Sequence, residues 1–439
     1  MEQCDESLRK RVVVKEDRIS DLSETLLLQI LSCLPTKAVV ATSVLSKRWR
    51  SLWKVVPRLQ FECYNHQNIH KFSENVGRCL LLHKAPVLES LHLKLSRSCC
   101  AIDLGLWAGI AFSRHLREFV LDLFFGPNVQ FLRSLFRFSD TLETLKLKNS
   151  VLSDVPPGFC MKSLRTLHLH CVGFSDNESF RNFISGCPNL ENLVMRRGKH
   201  ENVLTFVIVS TSLKRLSIKD DTGVVKNGGY EINAPSLMYL EIRGISPCER
   251  CSIVDSPKLV EANISNVSPI MNGNLVGSLN SAKRLSLELP SEILFPTGDI
   301  FNQLVYLEIC TCKGKWWNLL TFMLDFSPKL QVLKFIDQSQ RFDKDCVVGG
   351  KWNQPDVVPE CLLSHLEKLE WELFNWDREE EIEVATYILT YARRLKSATF
   401  STRPIQYKEL SKLEERYTKL MDLDGVVRAS NSCHLVFAE

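Results

Sequence analysis

The stretch LETLKL, residues 142–147, has the pattern L-x-x-L-x-L, and this pattern decides the fold. It recurs along most of the chain, with other apolar residues at some of the fixed positions. Its 13 copies begin at Leu88, Leu116, Leu142, Leu164, Leu190, Leu213, Leu237, Leu259, Ala282, Leu304, Leu330, Leu366 and Leu395. The first nine intervals all fall within the period of roughly 20–29 residues that is typical of leucine-rich repeats.

The end of the motif fixes the local structure. The two apolar residues of L-x-L flank a polar one, so both point to the same side of a strand. One repeat is too small to bury that side alone, whereas stacked repeats bury it continuously. The pattern therefore predicts an α/β solenoid with parallel strands on its concave face. After the copy at Leu304 the intervals become longer and less regular, which predicts a change of module near residue 350.

Composition and charge exclude several classes of protein. The chain has 439 residues, 45% hydrophobic and 24% charged, which is typical of globular rather than disordered proteins. Apolar stretches such as Val203–Val209 are too short to span a membrane, and the first residues lack the apolar core of a secretory signal. A net charge of +4 is too small for a dedicated nucleic-acid binder. We therefore expect no membrane or nucleic-acid partner.

The 16 cysteines are scattered along the chain and show no disulfide framework. Because no secretory signal is predicted, we expect free thiols in a reducing compartment, the cytoplasm and/or the nucleus. The basic run Arg9-Lys10-Arg11 is too short to decide for the nucleus.

The N-terminal segment 1–60 follows a different pattern from the repeats. Asp21 and Glu24 stand at capping-box spacing before an apolar run, and Thr36 is predicted to cap a second helix. The three predicted helical segments are Leu26–Leu34, Lys37–Leu45 and Lys47–Trp53. Helices this short cannot bury all their apolar residues among themselves. We therefore expect them to pack on the end of the solenoid or to dock on another protein.

The C-terminal region, from about Trp352, is predicted to combine helices with a last strand. A helix is expected to open at the acidic run Glu379–Glu383 and to close at the basic Arg393 and Arg394, in line with the helix dipole. A second helix is predicted at about Lys408–Leu420, followed by a strand at Cys433–Phe437.

Two of these regions resemble known modules. The stretch DRISDLSETLLLQILSCLPTKAVVATSVLSKRWRSLW, from Asp17 to Trp53, closely resembles an F-box. The stretch that begins VPECLLSHLEKLEWELFNW and ends RASNSCHLVF resembles an FBD module. Their order around the repeats resembles the plant-type F-box/LRR/FBD family. The resemblance implies a flexible tail (1–16), a three-helix F-box (17–60), a leucine-rich-repeat solenoid (61–350) and an α+β FBD module (351–439) that continues or caps the solenoid.

The family resemblance implies the substrate-recognition subunit of an SCF (Skp–cullin–F-box) ubiquitin ligase. The F-box would dock on a Skp-type adaptor and through it on cullin and RING subunits, while the repeats and FBD module would hold an unidentified protein substrate for ubiquitination. Such a receptor is not an enzyme, so no catalytic residue and no cofactor is expected. The adaptor-binding residues implied by the resemblance are Leu22, Leu26, Ile30, Leu31, Leu34, Pro35, Val39, Val44, Leu45 and Trp49.

One position departs from the family pattern. Ser23 stands where family members usually have proline, which pre-sets the first turn of a helix. Ser23 can cap the helix instead, so we expect weaker helix initiation by about 1 kcal/mol. Two other functions stay open: a repeat scaffold that does not join a ligase, and a receptor whose substrate site is completed by a small ligand.

Several cysteines and histidines are candidate metal ligands. Cys248 and Cys251 form a lone C-x-x-C pair, and a zinc site would need a second pair such as Cys310 and Cys312, about three repeats away. We therefore expect packing cysteines and no metal. His168 and His170 flank Leu169 on the inner face, where partner contact is favoured over catalysis. The run Glu379–Glu383 is interpreted as a helix N-terminus rather than a metal site.

The polar positions around each L-x-L are predicted to form the inner face of the solenoid. In the first half they are basic, and in the second half acidic, so we hypothesise an acidic substrate element that docks on the basic half. The basic candidates are Lys146, Lys148, His168, His170, Arg196, Arg215 and Lys219. The acidic positions are Glu261, Glu288, Glu308, Glu370 and Glu372.

Overall fold

A computed structural model describes most of the chain. The described residues are 19, 21–63, 69–96, 101–124, 140–152, 155–198, 202–220, 228–245, 249–254, 256–267, 275–289, 300–312, 315–337, 352–403 and 411–438. Several predictions fall outside them: the tail 1–16 with its basic run, Asp17, Cys248, the module boundary near residue 350 and the first residues of the helix predicted at Lys408–Leu420. No helix within these ranges is long and apolar enough to cross a membrane.

One long parallel sheet of 15 strands runs through the described chain. Each of the 13 motifs supplies one strand, and the sheet gains one further strand at each end. The strands are β1 Arg58–Cys63, β2 Ser90–Ser96, β3 Glu118–Phe124, β4 Thr144–Lys148, β6 Thr166–His170, β8 Asn192–Arg196, β10 Arg215–Lys219, β12 Tyr239–Ile245, β14 Glu261–Val267, β15 Arg284–Glu288, β16 Tyr306–Cys310, β17 Val332–Ile336, β18 Lys368–Phe374, β19 Ser397–Thr402 and β20 His434–Ala438. Strand β20 confirms the strand predicted at Cys433–Phe437, whereas β1 was not predicted.

The register of the sheet places equivalent motif positions side by side. Leu145 pairs with Leu167 and Leu147 with Leu169, and all four are buried. The residues between them are half-exposed and form a second face, here called the open face. The predicted alternation of L-x-L is therefore what separates the core from the open face.

The segments between the long strands close the core on its other side. They are helices towards both ends of the solenoid, and short strands with one helix in its middle, and their buried residues join the same core as the strand leucines. The helices are α4 Ile69–Leu82, α5 Ala101–Phe112, α6 Asn177–Ser185, α7 Trp316–Phe326, α8 Glu360–Ser364, α9 Glu379–Tyr391 and α10 Ser411–Asp424. The short strands are β5 Val151–Leu152, β7 Gly173–Phe174, β9 Thr205–Val209, β11 Gly228–Asn233 and β13 Glu249–Ile253.

The N-terminal module contains α1 Glu24–Ser32, α2 Thr36–Ala41 and α3 Trp49–Leu52, with short 3₁₀ turns at Thr42–Val44 and Trp53–Val55. The cap that Ser23 can supply to the first helix is confirmed, whereas the capping box at Asp21 and Glu24 and the cap at Thr36 were wrong. Ser23 caps α1, since its hydroxyl accepts a hydrogen bond from the Leu26 amide at 3.4 Å. Thr36 begins α2 and does not cap it, because its hydroxyl accepts the Gln60 amide at 2.7 Å and so ties the module to β1.

A buried histidine joins this module to the first repeat. Arg114 donates to Nδ1 of His83 at 3.1 Å, so Nε2 carries the ring hydrogen and donates to the Val56 carbonyl at 2.8 Å. Burial lowers the pKa of His83, and the neighbouring Arg114 guanidinium acts in the same direction, so the ring is neutral. The two modules are thus joined by a hydrogen-bond chain that runs from the Arg114 guanidinium through the neutral His83 ring to the Val56 carbonyl.

The sheet continues without a break from the repeats into the C-terminal region, because β17 pairs with β18 and β19 with β20. The helix predicted from the acidic run is α9, but it ends at Tyr391, so Arg393 and Arg394 lie beyond it. The second predicted helix is α10, which is described from Ser411 and ends at Asp424, later than expected. The acidic run was interpreted as a helix N-terminus, and within it Glu381 is completely buried.

Candidate docking surfaces

The N-terminal helices carry an unusual number of exposed apolar side chains. Five of them are between 41% and 84% exposed, and the adjoining Pro35 is exposed as well. Leu26 and Ile30 are four residues apart and therefore lie on one face of α1. The five apolar residues are Leu26, Ile30, Leu34, Val44 and Leu45. We call them, with Pro35, the apolar face.

Three residues that the resemblance implied as adaptor contacts lie elsewhere. Leu31, Val39 and Trp49 are buried in a small core that includes Leu27 and Leu52. A side chain that is almost fully buried contacts its own module, so these three support the apolar face from behind and do not belong to it. The sequence pattern identifies the apolar residues of these helices but does not show which of them are buried and which are exposed.

The start of α1 is fixed to the third helix. Arg48 donates a hydrogen bond to the Leu22 carbonyl at 2.6 Å, and Leu22 itself is half-buried against the small core. Because Arg48 follows Val44 and Leu45 closely, this bond holds their segment against the start of α1. The apolar face is therefore pre-arranged by contacts within the module.

A groove adjoins the apolar face, between α2 and α4. Its volume is about 810 Å³, and its apolar lining includes Pro35, Val40, Trp53, Phe72 and Leu82. Pro35 belongs to both surfaces, so a partner that covers the apolar face can continue into the groove.

On the open face, five basic positions form one row across consecutive strands β4, β6, β8, β10 and β12. The register pairs each of them with the next. We call this set the basic row, and it consists of Lys148, His170, Arg196, Lys219 and Arg243. Neighbouring strands are about 4.8 Å apart, so the row extends for about 20 Å. Arg243 was missed in the sequence because its repeat lies between the stretches assigned as basic and acidic.

Several of the predicted basic residues already have anionic or aromatic neighbours. Lys148 lies 3.1 Å from Asp122, and Lys219 lies 2.9 Å from Glu241. The remaining pairs are Lys146 with Glu118 at 3.0 Å and the Arg215 guanidinium over the Tyr239 ring at 4.1 Å. Charges that are compensated in this way attract a partner less than the formal charge suggests.

These pairs shift the pKa values of the carboxylates. Burial alone would raise the pKa of Glu118, but the ammonium of Lys146 and the imidazole of His92 outweigh it and lower the pKa. The pKa of Glu241 is lowered in the same way, by Lys219 and the Ser217 hydroxyl against the effect of burial. Both carboxylates are therefore ionised at neutral pH and hold their lysines in place.

The two predicted histidines stand in neighbouring rows of strand β6. Burial lowers the pKa of His168, and Lys146 adds to the effect. Burial also lowers the pKa of His170, followed by the charges of Arg196 and Lys148. Both rings are consequently neutral near pH 7 and contribute hydrogen bonds rather than charge.

The acidic half of the open face is less uniform than predicted. Lys334 lies between Glu308 at 3.3 Å and Glu372 at 2.8 Å, and these carboxylates raise its pKa although burial opposes them. The Arg284 guanidinium stacks over the Tyr306 ring at 3.8 Å. The prediction of one basic and one acidic half therefore needs correction, because most rows mix both signs. The basic row has no acidic member over five strands, and it carries four cations beside the neutral His170.

Of the four cysteines considered as a zinc site, Cys248 lies outside the described residues, and Cys251 lies in a different sheet from Cys310 and Cys312. Cys251 lies in strand β13 of the short sheet, where burial raises the pKa of its thiol to about 12. Cys310 and Cys312 lie at the end of β16 in the long sheet, beside Glu288. A thiol held protonated within the core is a packing residue, as expected for Cys251.

Family models match three parts of the chain. The F-box domain matches residues 19–61, and the FBD matches residues 354–400. The repeats of the FBD-associated F-box protein At5g56370 match residues 104–264. These matches agree with the resemblances found in the sequence.

Curated proteins of Arabidopsis thaliana are similar over their whole length. F-box/FBD/LRR-repeat protein At3g51530 is 57% identical, and the match covers 100% of this chain and 96% of the relative. F-box/FBD/LRR-repeat protein At3g52680 is 55% identical, over 98% of this chain and 95% of the relative. FBD-associated F-box protein At3g52670 is 51% identical, over 98% of this chain and 99% of the relative. Similarity of this degree along the full chain shows that the protein belongs to the F-box/FBD/LRR-repeat family.

Proposed function

We propose that this protein is the substrate-recognition subunit of an SCF-type ubiquitin ligase. The apolar face of the F-box carries the proposal, because it is exposed, fixed from behind by its own small core, and continuous with a groove. Exposed apolar patches of this kind on an otherwise polar module mark sites of protein association. A Skp-type adaptor binds this face and links the chain to cullin and RING subunits.

The proposed role of the chain in ubiquitination is positional. The repeats and the FBD module hold a protein substrate while other subunits supply the ubiquitin-loaded enzyme. Holding both reactants on one assembly raises the effective concentration of substrate lysines near the enzyme. In this role the receptor is not an enzyme, and the reactive groups belong to its partners.

Replacing Ile30 by glutamate is expected to weaken adaptor binding about 30-fold. Ile30 is 48% exposed on the apolar face, so a charge there is desolvated in the complex without disturbing the small core. Loss of a central apolar contact in an interface typically costs about 2 kcal/mol. The measurement is the dissociation constant for a purified Skp-type adaptor, by calorimetry with the full chain.

The matched control is Val427→Glu, because Val427 is an exposed valine far along the chain, in the C-terminal region. It should bind the adaptor like the wild type. If a folded wild-type chain shows no adaptor binding, the ligase proposal fails, and the alternative of a repeat scaffold without ligase assembly takes its place. Equal binding by the wild type and Ile30→Glu would remove the apolar face as the docking site.

We further propose that the basic row binds an acidic segment of the substrate. The double reversal Arg196→Glu/Arg243→Glu is expected to slow substrate association about tenfold at low salt, because complementary charge acts mainly on the association rate. Both residues are exposed and belong to the basic row. The measurement is the association rate for a substrate captured on the wild-type complex, at two salt concentrations.

Reversal of Arg393 and Arg394 is the control, since these adjacent arginines are exposed but lie outside the basic row. An association rate that responds equally to both double variants would show that net charge, and not the row, attracts the substrate. If the chain captures its substrate only in the presence of an added small molecule, and that molecule raises the melting temperature of the chain, the alternative of a ligand-gated receptor is supported.

A further inference from the structure

Two thiols and a carboxylate meet at the end of strand β16. They continue the line of the basic row beyond its last member, since Arg243 pairs with Ser265 and Ser265 with Glu288. Cys310 is the last residue of β16, and Cys312 follows two positions later in a turn that brings its sulfur back to that of Cys310. Glu288 ends the neighbouring strand β15, where Leu287 pairs with Ile309. The register therefore places Glu288 beside Cys310.

The distances among the three groups are those of a compact donor set. The sulfur atoms of Cys310 and Cys312 are 2.9 Å apart, and the Cys312 sulfur is 3.9 Å from Oε1 of Glu288. All three potential ligand atoms lie within 4.8 Å of one another. In tetrahedral zinc sites, bond lengths of about 2.3 Å to sulfur and about 2.1 Å to oxygen separate the ligand atoms by about 3.5–3.8 Å. The two sulfurs would have to move apart by about 1 Å.

Burial and donor chemistry narrow the kind of ion. Both cysteines are more than 90% buried, whereas Glu288 is half-buried at the open face. Thiolate donors select soft or borderline cations, while Mg²⁺ and Ca²⁺ require sets of oxygen ligands. Two thiolates and one carboxylate carry three negative charges, so the site has one net negative charge when a divalent cation is bound. Among the described residues, no other group of three such side chains converges in this way.

We propose that Glu288, Cys310 and Cys312 bind one thiophilic d¹⁰ cation, with Zn²⁺ as the type case. Uptake of Zn²⁺ displaces one proton from each thiol, so two protons leave to solvent and no electron is transferred. Water fills the fourth position on the side of the open face. The ion links two neighbouring repeats through their side chains, in addition to the backbone hydrogen bonds between β15 and β16.

The site was not predicted from the sequence because its ligands belong to different repeats. Glu288 precedes Cys310 by one interval of the solenoid, which is not a known metal-binding spacing. The pairing considered in the sequence joins Cys310 and Cys312 to the pair at Cys248 and Cys251, whereas Cys251 lies in the short sheet. Only the register of the long sheet brings a carboxylate to the C-x-C pair.

The test uses the reduced full-length chain after removal of metal by a chelator. Zn²⁺ is titrated against a chromophoric zinc chelator, and Cd²⁺ is titrated while the ultraviolet thiolate-to-metal band is recorded. We expect one tight equivalent and a thiolate band for the wild type. Cys312→Ser and Glu288→Gln should weaken binding at least tenfold, since loss of even an outer-shell partner of a metal site typically costs about that much.

Cys160→Ser is the matched control, because Cys160 is an exposed thiol outside the site. Glu288→Gln keeps the side-chain shape at a half-exposed position, so Zn²⁺ should raise the melting temperature of the wild type more than that of this folded variant. Binding that is equal in the wild type and Cys312→Ser, or that falls equally in Cys160→Ser, overturns the proposal. Recovery of Cys310 and Cys312 as a disulfide that excludes metal also overturns it. None of these results depends on adaptor binding.

Discussion

Replacing Trp371 by alanine is expected to destabilise the protein by about 3–5 kcal/mol, the typical cost of removing a large buried aromatic side chain. Trp371 lies in β18, where the sheet passes from the repeats into the FBD region, and it is 1% exposed. Its ring is 4.2 Å from that of Phe335 in β17 and 6.0 Å from that of Phe400 in β19, measured between centroids. Phe374 and Trp316 also contact it edge-on, at 5.1 and 5.8 Å.

The cavity would therefore open between three consecutive strands. The measurement is the urea midpoint of the full chain, followed by near-ultraviolet circular dichroism, which reports on packed aromatic rings. Stacking of repeats depends on neighbour contacts, so we expect the strands after β17 to become sensitive to protease first. Tyr417→Ala is the control, because Tyr417 is an aromatic residue in the same region that is 65% exposed and should change stability by less than about 0.5 kcal/mol.

A urea midpoint for Trp371→Ala within error of that for Tyr417→Ala would contradict this interpretation. It would mean that the FBD region is held by its helices and not by the aromatic contacts along the sheet. Trp371→Phe separates ring packing from the indole nitrogen, which is buried and has no hydrogen-bond partner within the part of the chain that the structure describes. Because phenylalanine removes that nitrogen and keeps a ring, this variant should lose less stability than alanine.

The long sheet could be predicted from sequence because its signal is local. Each L-x-L indicates which side of its strand is buried, and the regular interval between copies predicts that the strands stack in the order of the sequence. Strand β1 was missed although Val56, Leu59 and Phe61 occupy the three motif positions, because the segment assigned to the F-box extends to residue 60. Val56 and Leu59 are buried like the leucines of the other repeats. At the other end, Ser430 replaces the first leucine, and its hydroxyl donates to the Leu395 carbonyl of the preceding repeat at 2.7 Å.

The docking surfaces could be predicted only in part, because they depend on contacts between distant residues. The F-box pattern marks apolar residues, but the tertiary packing decides that Leu31 is buried while Ile30 is exposed. On the open face, charges pair across strands that lie one repeat apart in sequence, as Lys146 does with Glu118. Such pairs follow from the register between neighbouring strands. Because the repeats differ in length, this register cannot be read from the sequence. A count of charges along the chain therefore overestimates the polarity of the surface.

In the acidic run at the start of α9, too, contacts between distant residues decide what the sequence pattern does not show. Charge at a helix N-terminus is normally solvated, yet Glu381 is completely buried. Its carboxylate accepts hydrogen bonds from the Asn375 amide and the Arg378 guanidinium, both at 2.9 Å. Asp337 lies in the same network, 3.8 Å from Arg378. Burial is the largest influence and raises the pKa of Glu381 to about 7, although the two donors oppose it.

This raised pKa makes the folded chain bind a proton that the unfolded chain releases at lower pH. The contribution of Glu381 to the free energy of unfolding is fully present below pH 4.5, the ordinary pKa of the group, and is lost as pH rises through about 7. A shift of the Glu381 pKa from 4.5 to about 7, at about 1.4 kcal/mol per pH unit, corresponds to about 3–4 kcal/mol. We expect the wild type to lose most of this contribution between pH 5 and pH 8, relative to a variant without the titrating group.

Glu381→Gln supplies that variant, because glutamine has the shape of the protonated acid and does not ionise. The measurement is the difference in urea unfolding free energy between wild type and variant at pH 5 and at pH 8. Histidines with lowered pKa, such as His83, change stability in the opposite direction with pH, but they are present in both proteins and cancel in the difference. The wild type should become less stable relative to the variant as pH rises. A difference independent of pH would show that Arg378 keeps Glu381 ionised throughout, and that the network at the start of α9 is a permanent ion pair.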